Sequence, residues 1–508
     1  PKNRQWKTSA PDSSGETWNK FMNLRIHSFL WALLAIIAIT ISSCMPVTAT
    51  SSVSSPTLNN TSVNTPENTA TAVIPTTTPT PLSTIEVKEE ELKGIKVVLV
   101  HPLDGSAIKE MQRMADDFNR DNPWGIELEI QAAGNYMNLI DEINNGLKTS
   151  TTPQIVMAAT EQLADWQDDW KVLKNIDQYI QDPVWGLSNE QIATYYPVIW
   201  KQDIVNDHRI GFPAIRTMEG IGYNRTWAHE LGYEDPPLTL DDFYEQSCTA
   251  AEKNNTDGVP GTGGWFMDTD PHVALSWMTA FESAEIFNST TKSYSFNTPE
   301  INKAFAYLRN LSEKKCAWNN EIPLPEESTE PYTYFATHQT LLTSLSVDEI
   351  PIQAAAMTTV ENTDDWVFLP YPTENGNGVV VTYGYSYGML ASKPSEQLAS
   401  WLVIRWFSEP EQMIRLAEIT DTLPLTTSTY DLMSASQQME QAIALLGLAV
   451  TPPSDASWGK VQTVIRDAIW EDMVQYQLIF GVPNSPVRTT EEILKDLDDA
   501  AAEIVAQE

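Results

Sequence analysis

The stretch that decides the fold is residues 95–158, IKVVLVHPLDGSAIKEMQRMADDFNRDNPWGIELEIQAAGNYMNLIDEINNGLKTSTTPQIVMA. It opens and closes with short apolar runs, and residues 126–130 between them alternate as a strand does. The two intervening segments repeat apolar residues at helical spacing, such as Met111 and Phe118 in one and Leu139 and Ile143 in the other. This order predicts a βαβαβ unit with a right-handed parallel sheet, and therefore an α/β fold.

Parallel sheets of this kind bind ligands beyond the carboxyl ends of their strands. We therefore expect the loops 101–106, 131–135 and 159–163 to face a ligand site. Further helices are predicted to begin after Thr239, at Pro394 and near residue 489.

The charge of the chain restricts its partners. Its 508 residues include 31 basic and 68 acidic side chains, a formal net charge of −37. Nucleic-acid binding needs clustered Lys and Arg against phosphates, so no nucleic-acid partner is expected. Residues 1–93 contain seven basic and seven acidic side chains, so the whole excess lies in residues 94–508. The chain is interpreted as a neutral leader followed by an acidic globular body.

The leader has the pattern of an export signal. From Met22 a short positive segment precedes the apolar run Ser28–Ile41, which is shorter than the roughly 20 residues of a transmembrane helix. The sequence ISSC that ends at Cys44 resembles the lipobox of bacterial lipoproteins, in which the cysteine receives lipid. We predict a lipoprotein signal peptide at 22–43 and lipidation of Cys44. An ordinary signal peptide with a chance cysteine is the alternative.

Residues 44–93 are predicted to be a linker between the lipid and the body. The stretch from Met45 to Thr84 contains 12 Thr, 6 Ser and 6 Pro, and Glu67 is its one charged residue. Such a segment buries too little apolar surface to offset its ordering entropy, which predicts a disordered stalk. The expected location is the outer face of the cytoplasmic membrane, with the protein held there by lipid.

Two cysteines remain in the body, Cys248 and Cys316. An even pair in an exported domain is compatible with a disulfide, and two buried free thiols are the alternative. Neither belongs to a Cys-x-x-Cys motif or accompanies a histidine cluster, so we expect no metal site and no cofactor.

Six motifs follow one another along the body: FNRDNPWGIEL from Phe118, PQIV from Pro153, GFPAIRTMEGIGYN from Gly211, LGYEDPPLTLDDF from Leu231, FLPYP from Phe368 and WLVIRWFSEPEQ from Trp401. In these motifs and their order, the body from about Gly94 to the C-terminus resembles the family 1 extracellular solute-binding proteins, the carbohydrate-capturing subunits of ABC importers. Two positions depart from the family pattern, since Gln154 replaces its usual acid and Leu240 its usual Trp.

The resemblance implies a two-lobed periplasmic-binding-protein fold of type II, with a hinge that the chain crosses three times. The crossings are expected near Arg216–Gly220, Asn377–Tyr383 and Thr420–Thr426. Lobe 1 would comprise residues 94–216 and 382–422, and lobe 2 residues 217–381 and 423–508. A ligand held between the lobes would stabilise the closed state by contacting both.

Sugars present hydroxyls and flat C–H faces, so their sites combine carboxylates, amides and aromatic rings. The resemblance and the loops above indicate nine candidate ligand-binding residues: Asp104, Glu161, Arg216, Thr217, Trp265, Asp270, Tyr383, Tyr385 and Trp458. Structural roles stay open for several of them. Asp104 could cap the following helix, and Glu161 stands in a first helical turn, where acids are favoured. Arg216 could form only an ion pair, and tryptophans more often pack in cores.

The expected function is that of a monomeric, lipid-anchored binding protein that captures a carbohydrate and delivers it to an ABC permease. No enzymatic activity is expected, because the sequence has no nucleophile elbow, His-Glu-x-x-His motif, phosphate loop or dinucleotide fingerprint. A glycoside hydrolase, which needs two carboxylates flanking one bond, is one alternative. A lipoprotein that docks on a sensor instead of a permease is the other.

Overall fold

A computed structural model describes the body of the chain, in residues 82–257, 262–268, 270–281, 285–318, 330–390, 393–474 and 488–507. The predicted signal peptide, Cys44 and most of the predicted stalk lie outside these residues.

The predicted βαβαβ unit is present. Its first strand pairs in parallel with the second along residues 96–101 and with the third at Leu99 and Val100. The helix after the first strand buries Met111, Met114 and Phe118, the stripe that the apolar spacing predicts. This unit forms one side of a larger sheet.

Fourteen strands are described: β1 (Lys96–His101), β2 (Glu127–Ala132), β3 (Ile155–Ala159), β4 (Ile204–Val205), β5 (His208–Arg209), β6 (Gly211–Asn224), β7 (Trp265–Phe266), β8 (Phe287–Asn288), β9 (Ser293–Tyr294), β10 (Ala317–Trp318), β11 (Leu342–Ser346), β12 (Trp366–Leu369), β13 (Val380–Met389) and β14 (Ala449–Val450).

The described α-helices are α1 (Gly105–Asp121), α2 (Tyr136–Thr149), α3 (Thr160–Trp170), α4 (Asp177–Ile180), α5 (Asn189–Ala193), α6 (Pro197–Trp200), α7 (Arg225–Glu230), α8 (Leu240–Asp257), α9 (Pro271–Ala280), α10 (Pro299–Glu313), α11 (Glu330–Ala336), α12 (Ile350–Thr359), α13 (Pro394–Phe407), α14 (Pro410–Ile419), α15 (Thr427–Tyr430), α16 (Gln437–Ala444), α17 (Trp458–Val474) and α18 (Thr490–Val505). Among them, none combines the length and apolar composition that crossing a bilayer requires.

Two long strands join the lobes of the molecule. The strand order is β10-β7-β11-β6-β13-β3-β1-β2, with β12 also on β6 and β14 on β13. The first half of β6 pairs with β13, and its second half pairs with β11 and β12. The far end of β13 pairs with β3. Both strands are therefore shared by the first lobe, built on β1–β3, and the second lobe, built on β7, β10 and β11; β6 runs from the first to the second, and β13 runs back.

The third predicted crossing lies beside the first. Residues 420–426 connect α14 to α15, and the Leu423 N–H donates to the Arg216 carbonyl at 2.8 Å. At the other two crossings, Gly384 on β13 permits this strand to lie close to β6, because a Cβ at position 384 would stand 2.4 Å from the Ile215 carbonyl oxygen. The backbone of Gly384 has a φ of +150°, in the range that favours glycine.

Each lobe has its own packed interior. In the first lobe the sheet buries apolar residues on both faces, for example Leu99 on one and Val156 on the other. In the second lobe Phe243, Trp265 and Trp277 pack their rings edge to face. A disulfide joins Cys248 on α8 to Cys316 just before β10, across this second core.

Candidate functional site between the lobes

A cavity of about 270 Å³ lies at the end of β3, beside the part of β6 and β13 that passes between the lobes, and at the start of α17. Its position at the carboxyl end of β3 is the one expected of a ligand site in this kind of sheet. The lining residues are Tyr136, Ala159, Glu161, Ile215, Thr217, His272, Asp348, Tyr383, Gly384, Tyr385, Thr422, Pro452, Trp458 and Gln462. Five of the nine candidate residues are therefore brought together at one cavity.

Glu161 stands on the first-lobe wall of this cavity. β3 ends at Ala159, so the first turn of α3 carries the carboxylate to the edge of the sheet. No other described residue donates a hydrogen bond to this carboxylate, and its own backbone N–H is its one close donor. Burial raises the pKa of the Glu161 carboxyl, although the charges of His272, when it is protonated, and of Arg216 oppose this.

A pair of tyrosines lies beside Glu161. The rings of Tyr136 and Tyr385 stack, with centroids 5.2 Å apart and planes 18° from parallel. The Ala159 N–H donates to the Tyr136 hydroxyl at 3.3 Å, which holds that ring against the end of β3. Burial raises the pKa of Tyr385 to about 12, together with the negative charges of Glu161, Asp348 and Asp104.

A second aromatic pair joins His272 of the second lobe to Tyr383 on the hinge strand β13. His272 and Tyr383 stack with centroids 3.5 Å apart and planes 4° from parallel. Asp270 is the N-cap of α9: its Oδ1 accepts from the His272 backbone N–H at 2.7 Å and lies 2.9 Å from His272 Nδ1. Asp270 thus contacts a lining residue without lining the cavity itself. Burial works to raise the pKa of Asp270, but the contacts with His272 outweigh it and lower that pKa.

Thr217 and Asp348 form the part of the wall next to the first crossing. The Thr217 hydroxyl and the Ser346 hydroxyl both donate to Asp348 Oδ1. The Asp348 carboxylate follows the end of β11, so it too stands beyond the end of a strand. Its charge is already engaged by two hydroxyls of the protein.

Trp458 is the first residue of α17 and lies at the cavity wall, but its side chain is 0% exposed and belongs to the second core. Its neighbour Gly459 comes close to Glu161, since a Cβ there would stand 3.7 Å from Glu161 Cγ. The start of α17 therefore closes the second-lobe side of the cavity against α3. An open ring face for stacking is offered by the tyrosines rather than by Trp458.

The expectation that Arg216 faces the ligand is wrong. Its side chain is 0% exposed and pairs with Asp203. All five of its N–H donors find protein acceptors: Gln202 Oε1, the Ile215 and Tyr385 carbonyls, Asp203 Oδ2 and Ser386 Oγ. The guanidinium is a structural group of the hinge and has no donor left for a ligand.

Two other candidates lie away from the cavity. Trp265 is wrong as a ligand contact, because it is completely buried between Phe243 and Trp277 in the second core. Asp104 occupies the N-cap position of α1 without a capping hydrogen bond from its side chain. Asp104 is exposed, and its negative charge helps to raise the pKa of Tyr385, which lines the cavity.

Nine lining residues were not among the candidates, and four of these nine carry an aromatic ring, a carboxylate or an amide: Tyr136, His272, Asp348 and Gln462. Tyr136 directly follows the loop 131–135, and His272 lies two residues after Asp270, so proximity to those positions was an available signal. Asp348 offered none, because the short strand β11 before it was not recognised.

A larger cavity of about 430 Å³ adjoins the first and shares Pro452 with it. The β4–β5 connection, the end of α9, the β8–β9 turn and residues 450–455 form its walls. On the β8–β9 turn, Lys292 Nζ lies 3.5 Å from Asp168 Oδ2 on α3 and 3.8 Å from Asp455 Oδ2. This ion pair links the second lobe to the first beside the cavities. Within the described ranges, no group of three or more His, Cys, Asp or Glu side chains is placed to hold a metal ion.

Two lobes joined by long shared strands, with a cavity between them, define a bilobal binding protein. Its fold is similar to that of a cyclic α-maltosyl-1,6-maltose binding protein from Arthrobacter globiformis, at 15% identity and a TM-score of 0.65 over 82% of this chain and 100% of that one. It is also similar to the sugar-binding protein MalE from Xanthomonas citri, at 18% identity and a TM-score of 0.66 over 81% and 98%. The maltotriose binding protein of Thermus thermophilus is a third, at 14% identity and a TM-score of 0.57 over 81% and 99%.

Residues 113–445 match the profile of the family described as "Bacterial extracellular solute-binding protein", and the chain belongs to that family. The family resemblance predicted from the motifs is thereby confirmed, as is the two-lobed α/β fold. Members of the family are binding proteins that work outside the cytoplasm, so this is an exported protein. No curated protein sequence matches the chain.

Proposed function

We propose that this protein captures a carbohydrate between its lobes and delivers it to an ABC import permease, while lipid on Cys44 holds it at the outer face of the cytoplasmic membrane. The observation that carries the proposal is the cavity of about 270 Å³, where two stacked aromatic pairs lie together with the Glu161 carboxylate at the end of β3. Ring faces suit the C–H faces of a sugar, and Glu161, His272 and Gln462 suit its hydroxyls.

The two lobes contribute different walls of the cavity, so a bound ligand would favour a closed conformation that a transporter can recognise. Tyr136 and Glu161 belong to the first lobe, whereas His272 and Asp348 belong to the second. A ligand that touches both sets stabilises the closed state over an open one by its differential contacts. Similar solved proteins, named above for the sugars they bind, support a saccharide as the solute.

Isothermal titration of the full chain in detergent against neutral trisaccharides, among them maltotriose, cellotriose and xylotriose, tests the proposal. We expect one of them to bind at one site per chain, with the sugar recovered intact afterwards. Cleaved sugar would favour the hydrolase alternative, and binding of no saccharide would overturn the proposed function.

Anchoring and delivery need separate tests. Mass spectrometry of the purified protein should find an acylated cysteine at position 44, and Cys44→Ala should release the protein from the membrane fraction. Uptake of the bound sugar by cells should depend on this protein. Uptake that persists unchanged without it would favour a sensor as the docking partner.

A further inference from the structure

We propose that the saccharide captured by this protein carries a protonated amino group, which pairs with the carboxylate of Glu161. This inference rests on the proposed function and names the ligand class of the same cavity. It follows from the charges around the cavity, from the lack of a protein partner for Glu161, and from the aromatic surfaces beside it.

The cavity wall is negatively charged. Among the lining residues given above, Glu161 and Asp348 are acidic and none is Lys or Arg. His272, the one lining side chain that can become cationic, already has Asp270 against its Nδ1 at 2.9 Å. A neutral sugar gains nothing from such a field, whereas a cation is attracted by it.

Acidic groups behind the wall add to this field. Tyr383 lines the cavity, and the negative charges of Asp270 and Asp348 act on it. Glu219 and Glu349 lie there too, but burial raises the pKa of both carboxyls and so disfavours their charged forms. Arg216, a cation behind the wall, is paired with Asp203, and all its N–H donors have protein acceptors. The charges of His272 and Arg216 act on Glu161, but each of these side chains already contacts another carboxylate, Asp270 and Asp203 respectively.

Glu161 is the acid whose partner is missing. Asp348 accepts from two protein hydroxyls, while no other described residue donates to Glu161. The Glu161 side chain is partly buried, and a partly buried carboxylate without protein donors favours a ligand that supplies both donors and charge. An ammonium group supplies three N–H donors, and a hydrogen bond between charged partners is roughly twice as strong as a neutral one.

The neighbouring rings suit the same ligand. The stacked pair Tyr136 and Tyr385 lines the cavity beside Glu161. Burial is the main cause that raises the pKa of both hydroxyls, and the charge of Glu161 raises it further. A tyrosine face attracts an ammonium ion and also packs against a sugar ring. An amino sugar would therefore find its ring and its charge recognised on one side of the cavity.

Matched ligands provide the test. The full chain is titrated with the β-1,4-glucosamine trimer and with its fully N-acetylated form, which has the same backbone without the charge, and with galactosamine and N-acetylgalactosamine as a second pair. We expect the amine to bind at least 10-fold more tightly than its acetylated form in one or both pairs. The ratio should shrink as salt rises from 50 to 500 mM, because the interaction is electrostatic.

Two variants locate the effect. Glu161→Gln preserves the side-chain shape and should reduce the amine-to-acetyl affinity ratio at least 10-fold, bringing it close to one. Asp169→Asn removes the same charge from an exposed position on the same helix and should leave the ratio unchanged. Thermal melting of each variant checks that it folds.

The outcomes separate the two proposals. Acetylated or other neutral saccharides that bind as tightly as the amines, or an undiminished ratio in Glu161→Gln, would overturn this inference and leave carbohydrate binding in place. Binding of no saccharide, charged or neutral, would overturn the proposed function and this inference with it.

Discussion

Arg216 and Asp203 form an ion pair at the first crossing between the lobes, with Arg216 Nη2 2.9 Å from Asp203 Oδ2 and both side chains completely buried. Asp203 also accepts from Ser386 on β13 and from Thr160, the first residue of α3. The pair therefore ties both hinge strands to the helix that carries Glu161. It helps to position the helix that carries the Glu161 carboxylate, and Arg216 and Asp203 do not themselves line the cavity.

Replacing Arg216 with Met should lower the free energy of unfolding by about 3–5 kcal/mol, because it leaves the charge of Asp203 buried and unpaired. Urea unfolding followed by circular dichroism measures this loss. Arg466→Met is the matched control: Arg466 is 52% exposed and lies 3.4 Å from Asp467, so its loss should stay below about 1 kcal/mol. Equal losses in the two variants would contradict a structural role for the buried pair.

The aromatic pair at the cavity should contribute to ligand affinity. Tyr385→Leu removes the ring that stacks on Tyr136 and should weaken binding of the tightest saccharide about 10-fold, or about 1.4 kcal/mol. Isothermal titration gives the two dissociation constants. Tyr430→Leu, at a tyrosine that is exposed on α15 and does not line the cavity, should bind as the wild type does. An unaltered affinity in Tyr385→Leu would show that the ligand does not contact the Tyr385 ring.

The ion pair between Lys292 and Asp168 should favour the closed arrangement of the lobes. Both side chains are partly exposed, so we expect Lys292→Gln to weaken ligand binding by no more than about 5-fold, or about 1 kcal/mol. The effect should disappear at 0.5 M salt, where exposed charges are screened. Lys495→Gln removes a surface ion pair within α18 and serves as the control. A loss that persists at high salt would argue against an ionic contribution.

His101 should make the fold sensitive to acid. It ends β1 completely buried, neither ring nitrogen has a hydrogen-bond partner among the described residues, and burial lowers its pKa from 6.5 to about 4. Between these two pH values the unfolded chain binds more protons than the folded one, so this contribution to stability is complete above pH 6.5 and is lost as the pH falls. The loss should reach about 2 kcal/mol at pH 5.

Unfolding at pH 7.5 and pH 5 tests this for His101→Leu, which should lose about 2 kcal/mol less than the wild type between the two conditions. His229→Leu, at an exposed histidine, should lose as much free energy of unfolding between pH 7.5 and pH 5 as the wild type does. A wild-type-like pH response in His101→Leu would show that the imidazole is not the group responsible.

The predictions that succeeded depend on local pattern. Helices α1 and α2 and strands β1–β3 follow from apolar spacing within a few turns of chain, and a parallel βαβαβ unit has one usual handedness. Glu161 was expected beyond the carboxyl end of the third strand, and it lines the cavity there; its contact with a ligand stays a prediction. Thr217, Tyr383 and Tyr385 were placed by the expected strand crossings, and they line the cavity.

The predictions that failed concern burial. Arg216 lies at a crossing as expected, but its side chain turns inward to Asp203, a partner 13 residues away whose role has no local signature. Trp265 belongs to a strand of two residues, and its place between Phe243 and Trp277 depends on how α8 and α9 pack. Periodicity is uninformative over two residues.

The sequence alone therefore determined the class of fold, the family and the stretch of chain from which each wall of the cavity comes, because strand and helix patterns and short motifs are properties of neighbouring residues. Tertiary structure alone decided which polar groups keep a partner. Arg216 is satisfied by β13 and Asp203, whereas Glu161 lines the cavity, partly buried, without a donor from another described residue. That difference arises from contacts between segments far apart in the chain, and it is what makes Glu161 available to a ligand.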